Sequence, residues 1–192
     1  MDDPNAARRA GPGTAVKVSG TLILRHLEAF RTEVGRVPVE RALAAQPEEV
    51  RHELETLVPG AWFDTRHVDD LYRAIADEAG EPMETLLPRA FERGNRETMS
   101  TVWRALLRMA PDRIVLSRVR TVFEKSYSHG VVSAELTDDG GRVVLTHWPG
   151  IENNRLIGLA AGIQAALRLR GHTHAQVSFE RHPDGAVFNA RF

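Results

Sequence analysis

The chain contains no cysteine in its 192 residues. Disulfides, thiol nucleophiles, iron–sulfur clusters and every zinc site built on thiolates are thereby excluded. Lysine is almost missing too: Lys17 and Lys125 stand alone, and arginine supplies the rest of the basic residues. Neither sign of charge dominates. The formal net charge is −1, whereas non-specific binders of nucleic acid or anionic membranes carry a large basic excess, so neither partner is expected. No apolar run approaches the ~18 residues of a membrane span. The opening MDDPNAARRAGPG lacks the apolar core of a signal peptide. These absences predict a cytoplasmic protein with no membrane insertion.

What is present is ordinary globular material. Hydrophobic content of 42% and charged content of 27% allow a substantial core, and the length suits one domain with a short tail. Residues 1–15, rich in Pro, Gly, Asp and Arg without periodicity, read as a disordered tail. Residues 16–192 read as a single α+β domain.

Helical spacing fills the first two thirds. TLILRHLEAFRTEVG places Leu24, Leu27 and Phe30 or Arg31 on one face, with Gly35 as stop. VPVERALAAQ and PEEVRHELETLV are short helices, the second beginning at Pro47 with acidic residues in its first turn. DTRHVDDLYRAIADEAG is capped by Asp64 or Thr65 and presents Val68, Leu71, Tyr72, Ile75 and Ala79. METLLPRAFERGN follows, then ETMSTVWRALLRMA with Val102, Trp103, Leu106, Leu107 and Met109. PDRIVLSRVRTVFEKSYSHG presents Ile114, Val115, Val119, Val122, Phe123 and Tyr127. Up to Gly130 the expectation is helix throughout.

The pattern then changes. VVSAELTDDGGRVVLTHW alternates around Asp139-Gly140-Gly141, a strong hairpin signal. NNRLIGLAAGIQAALRLRG is a helix capped by Asn153 or Asn154, with Leu156, Leu159, Ile163, Ala166 and Leu167 on one side. A second hairpin turns at His182-Pro183-Asp184-Gly185. The expected fold is about six helices followed by a β-β-α-β-β antiparallel unit, with helices on one face.

The eight histidines suggest metal chemistry only at first sight. His172 and His174 stand at i, i+2, but His172 follows the helix-ending Gly171 and belongs to a connection, where a basic group suits the negative end of a helix. His182 lies at the far end of the strand, about 26 Å from His174 at ~3.3 Å per residue. A metal site needs at least three converging ligands, and a third would have to come from His147 or Asp138. His26 and His52 sit on charged helices with no recognisable ligand pair at i+3 or i+4, Glu53 and Glu55 reading as solvated face, and His67, Asp69 and Asp70 read as a polar first helical turn. Ser126, Ser128 and His129 cluster, but no Gly-x-Ser-x-Gly elbow exists, nor a phosphate-cradling glycine loop. No metal is expected.

Several short motifs carry a resemblance. Val18-Ser19-Gly20-Thr21, Trp62-Phe63, Ala110-Pro111-Asp112, and Phe123 with Tyr127 before Gly130 resemble an uncharacterised bacterial family best known from myxobacteria. That family is similar in plan to the superfamily of heme-nitric-oxide-binding (H-NOX) domains, four-vinyl-reductase domains and TRAPP subunits. The resemblance spans nearly all of residues 16–192. It implies a small-molecule or partner-binding module, usually dimeric, rather than an enzyme. The heme members carry a ligand histidine on a mid-chain helix and a Tyr-x-Ser-x-Arg signature. Here 97–109 holds no histidine and Lys125–His129 lacks the arginine, so no heme or other cofactor is expected.

The expected function is non-catalytic sensing of a small apolar ligand, or binding of a protein partner, by a homodimer. The expected pocket lies between helices and sheet, lined by Trp103, Leu107, Phe123, Tyr127, Trp148 and Phe179. Large aromatics leave gaps beside small residues such as Ala160, Ala161 and Gly162. Two alternatives are a structural dimerisation domain with a filled core, and a hydrolase or transferase. The latter would use His129 or the His172/His174 pair as base, with Asp138 or Asp184.

Overall fold

A computed structural model of the chain describes residues 15–98 and 111–192. It begins on a strand. β1 (Lys17–Ser19) pairs antiparallel with β2 (Trp62–Asp64), setting Val18 opposite Phe63. This corrects the expectation of helix throughout the first part. Three residues are too few to show a period-2 pattern, and each strand needs the other, distant in sequence, to exist.

Ser19 ends β1 and caps α1 (Gly20–Val34), its Oγ accepting the Leu22 N–H at 3.4 Å. The Gly20 N–H donates to the Ala61 carbonyl at 2.8 Å. Here the chain runs so close to the β2 approach that a Cβ on residue 20 would sit 2.2 Å from the Val58 carbonyl oxygen. Only glycine fits. α2 (Arg36–Ala44) and α3 (Glu48–Glu55) follow as the sequence predicts, with Glu48 and Glu49 at the positive end of the α3 dipole.

α4 (Thr65–Ala79) starts on Asp64, whose carboxylate accepts the Arg66 N–H at 2.9 Å, and ends at left-handed Gly80. α5 (Met83–Thr98) packs against α1, where Gly94 allows close approach: a Cβ there would meet that of Ala29 at 2.5 Å. α6 (Asp112–Ser126) forms over the expected span, and part of its expected apolar face is inside: Val119 packs against the core and Tyr127, just past the helix end, is buried. Phe123 is buried, whereas Ile114 and Val122 are 54% and 62% exposed. Among the described residues α6 packs mainly on the edge strand β3, and a helix on one flank of a sheet turns only a stripe of its surface inward. The expected helix presenting Val102, Trp103, Leu106, Leu107 and Met109 lies outside the described residues, as does the expected tail except for Ala15.

The two hairpins form as predicted. β3 (Val131–Thr137), β4 (Gly140–Thr146), β5 (Gln176–His182) and β6 (Gly185–Arg191) make one antiparallel sheet in the order β3-β4-β6-β5. The register places Val143 between Ala134 and Phe188, and Leu145 between Val132 and Ala186. These residues share one face, which the helices cover. α7 (Asn153–Arg170), inserted between the hairpins, packs against α5 and the sheet. Its N-cap is Glu152, not Asn153 or Asn154, and no side chain bonds the helix start. Its buried face holds Leu156, Ala160, Ala161, Ala165 and Leu169, while Ala166, expected inside, is exposed. Contact on two flanks replaces the single stripe that the sequence suggested. The architecture is α+β, with helices followed by β-β-α-β-β.

Candidate functional site

The first turn of α7 carries Arg155, a cation at the positive end of a helix dipole and so intrinsically misplaced. It is nevertheless 3% exposed. Asp69 of α4 compensates, its Oδ1 accepting from Nη2 at 2.7 Å, and the same nitrogen donates to the Thr65 carbonyl at 3.1 Å. The Tyr127 ring centroid lies 5.7 Å from the guanidinium carbon. Nε is buried and has no partner among the described residues. Burial works against the arginine charge, but Tyr127, Asp69 and Tyr72 more than offset it and hold the group above its ordinary range. Burial also pushes the Asp69 carboxyl up to about 6; the Arg155 charge opposes this and Glu152 reinforces it.

A second polar pair lies in the helical half. His26 of α1 shares a hydrogen bond with the Tyr72 hydroxyl, Nδ1 to Oη 2.5 Å, and stacks on Phe91 of α5 with centroids 4.0 Å apart. Burial, then the charges of Arg155 and Arg25, lower His26 to about 3. Burial pushes the Tyr72 hydroxyl upward. At neutral pH both are uncharged.

Three expected site residues come together beside Arg155. Ring centroids of Phe123 and Tyr127 are 5.0 Å apart, Tyr127 and Trp148 5.4 Å, and Phe123 and Trp148 6.3 Å. Trp148 is held by the tip of the second hairpin. Its N–H donates to the Asp184 carbonyl at 3.1 Å, and the Asp184 carboxylate accepts the N–H of His147 at 2.9 Å, with His147 at φ 59°. Phe179 does not join the group; it packs on Phe188 at 6.0 Å, on the edge strand opposite β3. Trp103 and Leu107 lie outside the described residues.

Two of the clefts among the described residues lie beside these elements. One, about 280 Å³, is lined by Val16, Thr65, Asp69, Trp148, Gly150 and Arg155, among others. The other, about 400 Å³, is lined by Thr21, Pro59, Trp62, Thr121, Glu124 and Lys125, among others. The smaller reaches a buried charged pair. In the larger, the Thr21 hydroxyl is already spent on the Pro59 carbonyl at 2.9 Å. Phe123 and Tyr127 are buried behind the clefts and line neither.

Among the described residues the histidines do not assemble a catalytic set. His129 Nδ1 bonds the Ser128 Oγ at 2.7 Å, and that oxygen also accepts the Lys17 N–H at 2.8 Å. The His129 Nε2 is buried without a partner among the described residues, so no carboxylate orients the ring as a triad requires. Asp184 is engaged in the turn at His147. His172 and His174 lie in the connection after α7, with the His172 ring 4.1 Å from that of Phe192.

Four central residues, His26, Asp69, Tyr72 and Arg155, were not read as site residues from sequence. Asp69, expected in a solvated first turn, falls one turn before Tyr72 on the face shared with Val68, Leu71 and Ile75, and is buried. That spacing was a usable signal. Arg155 offered another, a basic residue in the first turn of an otherwise apolar helix.

No protein-family model and no curated protein sequence matches the chain. Solved structures do match in fold. One, from work on haem redox potential and porphyrin distortion, has a TM-score of 0.63 at 13% identity, covering 91% of this chain and 99% of its own. An oxygen-binding H-NOX domain related to soluble guanylate cyclases scores 0.61 at 11% identity, covering 90% and 93%. The Fe(II) unliganded H-NOX protein of K. algicida scores 0.61 at 11% identity, covering 90% and 95%. With helices, sheet order and inserted α7 as described above, this chain has an H-NOX-like fold.

Proposed function

We propose that this chain is a non-catalytic sensing module whose small-molecule ligand occupies the cleft of about 280 Å³ between Trp148 and Arg155. One observation carries the proposal: a buried Arg155–Asp69 pair, joining the helical half to α7, lies at the wall of an open cleft. A ligand there touches both halves of the fold, and differential contact with two elements is what a sensor needs.

The haem of H-NOX proteins does not fit the described residues. Haem iron is held by His, Cys, Met or Tyr, and neither cleft is lined by any of the four. His26 is turned to Tyr72 and Phe91, and among the described residues no three His, Asp or Glu side chains converge as a metal site would need. Residues 99–110 contain no histidine.

The test is a thermal-shift screen of the full chain against a metabolite library, with native mass spectrometry of freshly purified protein. The expected result is a stabilising compound whose effect disappears in Trp148→Ala. Hits that act equally on Trp148→Ala, or no hit, would remove the cleft from consideration.

A further inference from the structure

We infer that the cleft recognises a small oxyanion, a carboxylate or phosphate group, through Arg155 and the open start of α7. The inference deepens the proposed sensing role and rests on the cleft being the site of it. Three observations converge. First, Arg155 lines the cleft, is 3% exposed, and keeps a buried Nε–H donor without a partner among the described residues. A buried donor on a charged group is costly to leave unmet and calls for an acceptor. Second, α7 is an 18-residue helix whose start receives no side-chain cap, so its first-turn N–H groups and positive dipole end stay available for an anion. Third, the cleft wall before the helix is Trp148, Pro149, Gly150 and Ile151, with left-handed Gly150 carrying no side chain to fill the approach.

Size and charge narrow the class. About 280 Å³ falls at the lower edge of the ~300–1,000 Å³ typical of drug-sized ligands, which favours a small molecule with one anionic group over a cofactor. Arg66 also stands at the cleft, its guanidinium held by Asp64 at 2.7 Å. Glu152 at the rim and Asp69 behind Arg155 oppose an anion. The site therefore discriminates against multiply charged anions. The bound group takes the Nε–H of Arg155, while Asp69 and the Thr65 carbonyl keep Nη2.

The experiment titrates the full chain with acetate, succinate and inorganic phosphate at matched ionic strength, reading backbone amides of residues 153–155 by NMR. Shifts confined to those amides and the Arg155 Nε–H are expected, saturating with Kd below about 10 mM for at least one anion. Acetate against phosphate identifies which oxyanion it is. Glu152→Gln, an exposed change that leaves the fold intact, tightens binding severalfold, and Arg155→Lys weakens it roughly tenfold by removing the fork geometry. Unmoved amides with all three anions, or tightening absent in Glu152→Gln, would overturn the oxyanion assignment. If the metabolite screen then yields an uncharged ligand dependent on Trp148, the sensing role stands while the oxyanion falls. If it yields none, both fall.

Discussion

Arg155 on α7 meets Asp69 on α4 at 2.7 Å with both side chains almost wholly buried, 4% and 5% exposed. Removing one member of such a pair leaves an uncompensated buried charge. Arg155→Met is expected to cost about 3–5 kcal/mol, read as a shift in urea midpoint. The double variant Arg155→Met/Asp69→Leu should recover much of that loss, since an apolar replacement restores packing without the stranded carboxylate. A double variant as unstable as the sum of the singles would contradict the coupling.

His26 and Asp69 pull the pH dependence in opposite directions. His26 titrates at about 3 in the folded chain against an ordinary 6.5. The unfolded chain binds more protons between those values, so this contribution is complete above 6.5 and is lost as the pH falls toward 3. Asp69 titrates at about 6 against an ordinary 3.8. Here the folded chain binds the proton more readily, so its contribution is complete below 3.8 and lost as the pH rises through 6. Urea midpoints between pH 4 and 7.5 should show a shallower acid loss in His26→Phe than in the natural chain, and a steeper one in Asp69→Asn.

Gly20→Ala is expected to destabilise by about 1–3 kcal/mol, because the added methyl meets the Val58 backbone rather than a movable side chain. Gly60→Ala, with open space around it, should stay within about 0.5 kcal/mol. Thermal melts of the two compare them directly.

Haemin added to the purified chain should give no stoichiometric Soret band, because no axial ligand lines either cleft. A sharp band at one equivalent would restore haem as the ligand.

The chain is expected to self-associate as a dimer. Ile114 and Val122 leave apolar surface on α6, and Val131 and Leu136 do so on the edge strand beside it. Sedimentation at tens of micromolar, roughly where weak interfaces fill, should show two chains per particle, and Val122→Glu should shift it to one.

Elements defined by local rules were readable in advance. Asp139-Gly140 and Pro183-Asp184-Gly185 announced their hairpins, and Gly80 and Gly171 ended their helices where expected. β1 and β2 were not readable, because three residues with a remote partner carry no period. The aromatic half of the site was partly legible, since Phe123, Tyr127 and Trp148 announce themselves by size. Its charged half was harder. Arg155 is one arginine among many in the sequence, and what sets it apart is Asp69, from a helix much earlier in the chain, beside it in the fold.

The β1–β2 ribbon sets an order of events during synthesis. β1 leaves the ribosome well before its partner strand, which comes only after three helices, and Val18 also bridges to Tyr127 further on. Lys17 in turn waits for Ser128. Closing such long loops is entropically costly and tends to come late. β1 is thus among the last of the described elements to find its place, and until it does the nascent helices lack the clasp that ties them to α6.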